Sequence, residues 1–313
     1  MVAAVASAGG VAALSEFVSL LPADFPAAVL VLLHIPPAAP SVLPGILGRA
    51  SSLPTRHPKD GDRLAAGVIT VAPPDQHLVV TGGQIRLLTA ARENGHRPSA
   101  DVLLRSVARE CGSRGAGVVM SGSMDDGAAG LRAVRVARGL TLVQDPLQAA
   151  FPGMPTAAIE EAGPQFVGPV AALAKRLCEW VDQLPEGTLE VDPLYEVPDP
   201  AEPTALTCPE CGGTMFEHDV FGAGRLRCQV GHTFSLDGLA VGKQDELEKS
   251  LWAAAVALNE QNDLSRRIMA RLRRTAGRRS YGATGGTSPT SRGRANGSAQ
   301  PDPRTGRARQ HKY

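Results

Sequence analysis

Five uncharged apolar residues, Val2-Ala3-Ala4-Val5-Ala6, stand at the head of the chain and run directly into Ser7-Ala8-Gly9-Gly10. A run of this length without polar alternation suits a strand buried on both faces, as parallel sheets require. Beyond the glycines Val11, Leu14, Phe17, Val18 and Leu21 fall at helical spacing. A buried strand that turns through glycines into a helix commits the chain to a layered α/β architecture. It also puts Ser7 at the carboxyl end of a strand, where open α/β sheets place their chemistry. The helix start adds free N–H groups and the positive end of a dipole, both favourable to a developing anion. Taken alone the stretch has competing readings. Ser is a good helix N-cap, and glycine turns also bind nucleotides, although G-x-G-x-x-G is absent here.

The pattern recurs. Val29-Leu30-Val31-Leu32-Leu33 ends at His34; 68–72 is another apolar run, closed by Pro73-Pro74; 77–88 reads as a hairpin around Gly82-Gly83. Helical spacing over 99–108, 130–137, 155–162 and 170–180 alternates with buried runs at 117–120 and 140–143. Strands alternating with helices predict a doubly wound, mostly parallel sheet over residues 1–182. Three loops that follow buried strands carry polar groups: Ser7, His34 and Ser121-Gly122-Ser123-Met124-Asp125-Asp126-Gly127. If those strands are neighbours, all three loops share one rim. Ser, His and Asp are the parts of a hydrolytic triad, in which the hydroxyl attacks, the imidazole takes its proton and the carboxylate orients the imidazole. Each part also has a plain structural reading: a cap, a strand-end histidine, a turn.

Residues 1 to about 182 resemble the catalytic domain of the chemotaxis protein-glutamate methylesterases, the CheB family. The resemblance rests on Ala6-Ser7-Ala8-Gly9-Gly10, Leu33-His34-Ile35-Pro36, Val71-Ala72-Pro73-Pro74-Asp75-Gln76-His77-Leu78, and Asn94-Gly95-His96-Arg97-Pro98-Ser99-Ala100-Asp101. It continues through the 121–131 loop, Gln144-Asp145 and Gly153-Met154-Pro155. It implies a catalytic triad of Ser7, His34 and Asp126, the acid being the one before glycine. The implied reaction is hydrolysis of glutamate methyl esters, with deamidation of glutamine at the same sites, on the cytoplasmic helices of methylated chemoreceptors. No cofactor is expected for catalysis. Backbone groups of Ala8, Ser123 and Met124 are candidate oxyanion donors. Many relatives read Gly-Met-Gly where this chain has Gly122-Ser123-Met124. The N-terminal receiver domain of the best-known members has no counterpart here, so regulation by a phosphorylated aspartate in cis is not expected. Arg97 is a candidate contact for acidic receptor surface. Other readings are an esterase acting on a different acyl ester and a scaffold that no longer turns over.

Residues 183–206 are an acidic, proline-rich stretch that reads as a linker. At 207–240 comes Cys208-Pro209-Glu210-Cys211 and then Cys228-Gln229-Val230-Gly231-His232. Three thiolates and one imidazole make a closed tetrahedral set, suited to structural Zn²⁺ in a zinc-ribbon-like module; reduced thiols or a redox C-x-x-C pair are the alternatives. A long helix is predicted over 243–274. Its stripe of Leu247, Leu251, Ala254, Leu258, Gln261, Ser265, Ile268 and Leu272 suits self-association or packing on the metal module. From 275 to 313 Gly, Ser, Thr, Pro and Arg dominate, as in a disordered basic tail. A net charge of +1 gives no global pull toward nucleic acid. No apolar run reaches a membrane-spanning length. A cytoplasmic location is expected.

Overall fold

A computed structural model describes residues 1–37, 40–184 and 202–281. The chain divides into two units, Met1–Ser250 and Leu251–Tyr313.

The first unit is built on seven parallel strands: β1 (Val2–Ala6), β2 (Val29–Leu33), β3 (Thr55–Arg56), β4 (Ile69–Val71), β7 (Ala116–Val119), β8 (Leu140–Gln144) and β9 (Phe166–Gly168). Their spatial order is β3-β4-β2-β1-β7-β8-β9. The opening strand β1 is therefore central, and the order reverses beside it: the chain winds outward through β2 and β4, then returns to β7 and winds the other way. The carboxyl end of β1 is thus a topological switch point, the place where such sheets leave a crevice. Between β4 and β7 lies the hairpin β5 (His77–Thr81) and β6 (Gln84–Leu88).

The two-residue period of a strand splits the apolar runs between two cores. Val2, Ala4, Val29, Val31 and Leu33 pack with Leu14 and Phe17 of α1 (Gly10–Ser19), Leu43 and Leu47 of α2 (Leu43–Ala50), and Leu173 and Leu177 of α6 (Val170–Asp182). Ala3, Val5, Leu30 and Leu32 face the opposite core. There they meet Leu103 and Leu104 of α3 (Ala100–Cys111), Leu131 and Val134 of α4 (Ala128–Val136), Met154 and Ala158 of α5 (Gly153–Ala162), and the hairpin. This is the doubly wound α/β fold expected. The edge strands β3 and β9 are two and three residues long and leave no periodic signal. Helix α2 was also not foreseen, because Pro44, Gly45 and Gly48 are poor interior helix formers.

After the gap at 185–201 comes an antiparallel sheet in the order β10 (Glu202–Thr207), β11 (Thr214–Val220), β12 (Ala223–Cys228) and β13 (Thr233–Phe234). Its small core is Cys208, Met215, Leu226, Cys228, Phe234 and Leu239. The expected linker end at 206 is corrected: Glu202–Leu206 belong to β10. Proline 203 is tolerated there because β10 is an edge strand, where a missing N–H breaks no ladder bond. The expected helix start at 243 is also corrected. Helix α7 runs from Leu236 to Tyr281, since the Ser235 hydroxyl accepts from the Gly238 N–H at 2.9 Å and caps it seven residues earlier. The sheet is tied to α5 by the buried Arg225, whose Nη2 donates to both Glu161 oxygens at 2.8 and 3.0 Å.

In the second unit α7 continues, and the side chains of its stripe are exposed. The expected basic tail begins inside the helix at 275–281; residues 282–313 lie outside the described residues.

Candidate active site

Ser7 follows β1, and its backbone N–H donates to Ser121 O at 2.9 Å, across the rim to the loop after β7. On the other side the His34 N–H donates to Ala6 O at 3.3 Å. The three expected loops therefore do share one rim, because β2, β1 and β7 are consecutive neighbours. The plain cap reading of Ser7 fails: the N-cap of α1 is Gly9, in a left-handed conformation with φ 71°, and no side chain caps the helix. Close packing explains the second glycine. A Cβ on Gly10 would lie 2.5 Å from Ala6 Cβ and 2.8 Å from Leu33 Cδ1. Gly122 is equally crowded, with Met154 Sδ at 2.0 Å and Ser7 Cβ at 3.0 Å from where its Cβ would stand.

His34 Nε2 and Asp126 Oδ2 are 2.8 Å apart. The carboxylate is almost fully buried, with 1% of its surface exposed. Burial alone would raise its pKa. The hydrogen bond and charge of His34, the charge of His96 and the Ala100 N–H outweigh burial and hold the group well below the usual carboxylate range. An ionised Asp126 can only accept, so Nε2 of His34 donates in this bond; in the neutral imidazole Nδ1 then presents a lone pair. That Nδ1 is buried and has no partner among the described residues.

Asp126 also accepts from Ser99 Oγ at 2.8 Å, Ala100 N at 2.7 Å and Asp101 N at 3.1 Å, so it caps the start of α3. Asp101 returns the arrangement. Its Oδ1 accepts from Gly127 N at 2.9 Å and Gly130 N at 2.7 Å, at the start of α4. The two acids answer their shared site differently. Burial and then the Asp126 charge push the Asp101 carboxyl well above its ordinary range. The expected turn or cap at Asp126-Gly127 is thus a reciprocal exchange between two helices.

The amide N–H groups of Ala8, Ser123 and Met124 donate to no described residue. Met124 sits at φ 65°, the left-handed conformation that glycine adopts without strain. Gly153 packs onto its amide: a Cβ there would be 2.7 Å from Met124 N.

Residues of the other motifs complete the rim. His96 lies flat on His34, ring centroids 3.8 Å apart and planes 8° apart; burial and then the His34 neighbour lower its pKa to about 4. His77 bonds Ala91 O through Nε2 at 3.0 Å and accepts from Ser99 N through Nδ1 at 3.2 Å, and Ser99 in turn holds Asp126. The signal for His96 and Ser99 was the Asn94–Asp101 run and that for His77 the Val71–Leu78 run, legible as motifs but not as a set of contacts. Arg97 is not a free cation on the rim: Nε and Nη2 donate to Asp75 Oδ1 at 3.0 and 2.7 Å, and Nη1 to Ala90 O. A cleft of about 260 Å³ opens beside His34, lined by Ile35, Pro36, Arg92 and His96 among others.

The sequence pattern of the CheB methylesterase family matches residues 2–177, more than half of the chain. The chain belongs to the CheB methylesterase family. Among its relatives, "protein-glutamate methylesterase/protein-glutamine glutaminase 2" of Anaeromyxobacter dehalogenans is 40% identical over 174 residues, 56% of this chain and 51% of that protein. A "protein-glutamate methylesterase/protein-glutamine glutaminase 1" of Geobacter metallireducens is 34% identical over 181 residues, 56% and 50% of the two chains. The chain thus spans about half the length of the relatives it matches. The crystal structure of the Thermotoga maritima CheB methylesterase catalytic domain superposes with a TM-score of 0.55 at 29% identity, covering 57% of this chain and 97% of that one. The CheB match covers the α/β layer and stops before β10.

The second expected cluster is also assembled. Cys208, Cys211, Cys228 and His232 offer four ligand atoms within 4.8 Å of one another. The Cys211 and Cys228 sulfurs are 3.6 Å apart, and His232 Nδ1 is 3.6 Å from Cys208 Sγ and 3.5 Å from Cys228 Sγ. Among the described residues no helix is long and apolar enough to cross a membrane.

Proposed function

We propose that the chain hydrolyses carboxylic esters through Ser7, His34 and Asp126, and that its substrates are glutamate methyl esters on the cytoplasmic part of methylated chemoreceptors. The observation that carries this reading is the unpartnered Nδ1 of His34, held by the Nε2 bond to Asp126 on the rim that also bears Ser7. In this mechanism Nδ1 takes the proton of the Ser7 hydroxyl as Oγ attacks the ester carbon. The C–OCH₃ bond breaks, methanol leaves with that proton, and a glutamyl ester on Ser7 remains. Water activated by the same nitrogen then releases glutamate. The free N–H groups of Ala8, Ser123 and Met124 are the donors for the oxyanion; one such donor is worth about 3–4 kcal/mol in the transition state. The same steps release ammonia from a glutamine amide, in keeping with the glutaminase in the relatives' names. The reading places the protein in the cytoplasm, where those receptor helices lie.

The cysteine–histidine cluster fits structural zinc. Bonds of about 2.3 Å to sulfur and 2.0 Å to nitrogen in a tetrahedron put ligand atoms about 3.5–3.8 Å apart, matching the three distances above. With all four positions filled by protein, Cys208, Cys211, Cys228 and His232 would hold the ion for folding and not for catalysis. The exposed apolar stripe of α7 supports self-association through helix pairing.

The test is methanol release from a methylated chemoreceptor cytoplasmic fragment. Wild type is expected to release it, and Ser7→Ala to lose most of the rate, on the order of 10⁶-fold in a fully triad-dependent enzyme. A wild-type protein inert toward a substrate of demonstrated methylation would refute the receptor assignment.

A further inference from the structure

Thr233 follows His232 directly, and its backbone reaches out of the ribbon into the methylesterase layer. Its N–H donates to Arg92 O at 3.3 Å, and its carbonyl accepts from the Asn94 N–H at 2.7 Å. Two residues on, the Ser235 N–H donates to Asn94 Oδ1 at 3.0 Å. Thr233 of β13 and Ser235 just beyond it therefore hold Arg92 and Asn94 by three hydrogen bonds.

That segment is a tight turn. Glu93 and His96 exchange both backbone bonds, at 3.2 and 2.9 Å. Asn94 and Gly95 take the two left-handed positions, φ 50° and 74°, as the Asn-Gly pair favours. Asn94 makes one further bond, from Nδ2 to Asp101 Oδ2, at 3.4 Å. The shorter and more numerous bonds on its apex come from the ribbon. The turn ends in His96, the ring stacked on His34. A continuous line of contacts thus runs from His232 through Thr233, Asn94 and His96 to His34.

Orientation of His34 matters in the proposed mechanism because Nε2 must keep Asp126 while Nδ1 serves the Ser7 hydroxyl, and a shift of about 1 Å at a catalytic group can cost 10²-fold in rate. We infer that the ribbon is a brace for the catalytic imidazole: Thr233 and Ser235 are positioning residues that hold the Asn94-Gly95 turn so that His96 keeps His34 in line, and ligation of Cys228 and His232 by a metal ion orders β13 for this task. The inference rests on the hydrolase and metal readings above. It makes the loaded cluster a condition of Ser7 reactivity, although no ligand of the cluster belongs to the active site.

The experiment uses the full chain and a fluorophosphonate probe, which reports Ser7 reactivity whatever the natural ester. Wild type, chelator-treated wild type and Asn94→Gly are compared for maximal labelling rate, probe affinity, bound zinc and amide exchange. Glycine accepts the left-handed backbone at position 94 and deletes both side-chain bonds. The expected result is a labelling rate at least tenfold lower in both treated and variant protein, with probe affinity within twofold. Asn94→Gly is expected to retain its zinc. Amide exchange should quicken at Asn94 and His96 while β1 and β2 stay protected. An unchanged maximal rate in Asn94→Gly, with zinc present, overturns the brace even if chelation is inhibitory. Zinc-loaded wild type that never labels at Ser7 refutes the hydrolase reading instead, and wild type that binds no zinc refutes the metal reading.

Discussion

Asp101 and Asp126 lie in one buried site, and two carboxylates so close cannot both ionise at ordinary cost. The pair divides: Asp126 has the imidazole of His34 beside it, with Ser99 Oγ and the Ala100 and Asp101 N–H groups, whereas Asp101 is pushed up, first by burial and then by its neighbour's charge. The folded state therefore keeps a proton on Asp101 that the unfolded chain releases near pH 4. With more protons bound in the folded state, stability from this group falls as pH rises from about 4 toward the raised pKa. Asp101→Asn removes that slope. The stability of the variant relative to wild type is expected to shift in the variant's favour between pH 4.5 and 7.5, read from urea melts at both values; a pH-independent difference would place the proton elsewhere. None of this was visible in the sequence, which shows Asp101 and Asp126 as separate residues of two motifs. The sequence showed residue types and order, so Ser7, His34 and Asp126 could be aligned on a rim. It did not show which atom faces which, so His96 and Ser99 acquired roles only in three dimensions.

Among elements, the β1–α1 junction is the most demanding. A tight turn and a close approach are the two uses of a glycine pair, and Gly9-Gly10 divide them: Gly9 has the positive φ, and Gly10 lets α1 begin in contact with Ala6 and Leu33. Gly10→Ala is expected to destabilise the protein by about 1–3 kcal/mol, the usual penalty of overpacking, measured as a lowered midpoint of thermal unfolding. A variant melting with wild type would mean that α1 can lift from the sheet at no loss. The long apolar runs were legible as strands because both faces of a parallel strand are buried. Strands β3 and β9 were not, since short edge strands carry little apolar pattern, and β10 was hidden by Pro203 at the end of an acidic, proline-rich stretch. The early start of α7 was written in Ser235 as a cap, but only the bond to Gly238 distinguishes that serine from any other.

At the scale of the whole molecule, a CheB layer over residues 2–177 is joined to a ribbon and a long helix. The helix stripe is exposed, Leu251 at 63% and Leu258 at 66%. An apolar seam of this kind on a helix favours a second helix. The full chain is expected to sediment as a dimer at tens of micromolar, and Leu251→Glu with Leu258→Glu as a monomer with undiminished Ser7 labelling. A monomeric wild type would remove self-association from the account.

The exchange of caps between α3 and α4 has a historical corollary. Asp126 anchors the first turn of one helix and orients the imidazole, whereas the Ser7 hydroxyl does not cap α1 and has no hydrogen bond among the described residues. A descendant that abandoned hydrolysis could shed Ser7 with little harm to its architecture but would retain Asp126 for as long as it kept the fold. Among such descendants an aspartate at this position testifies to ancestry, and only the hydroxyl testifies to the chemistry.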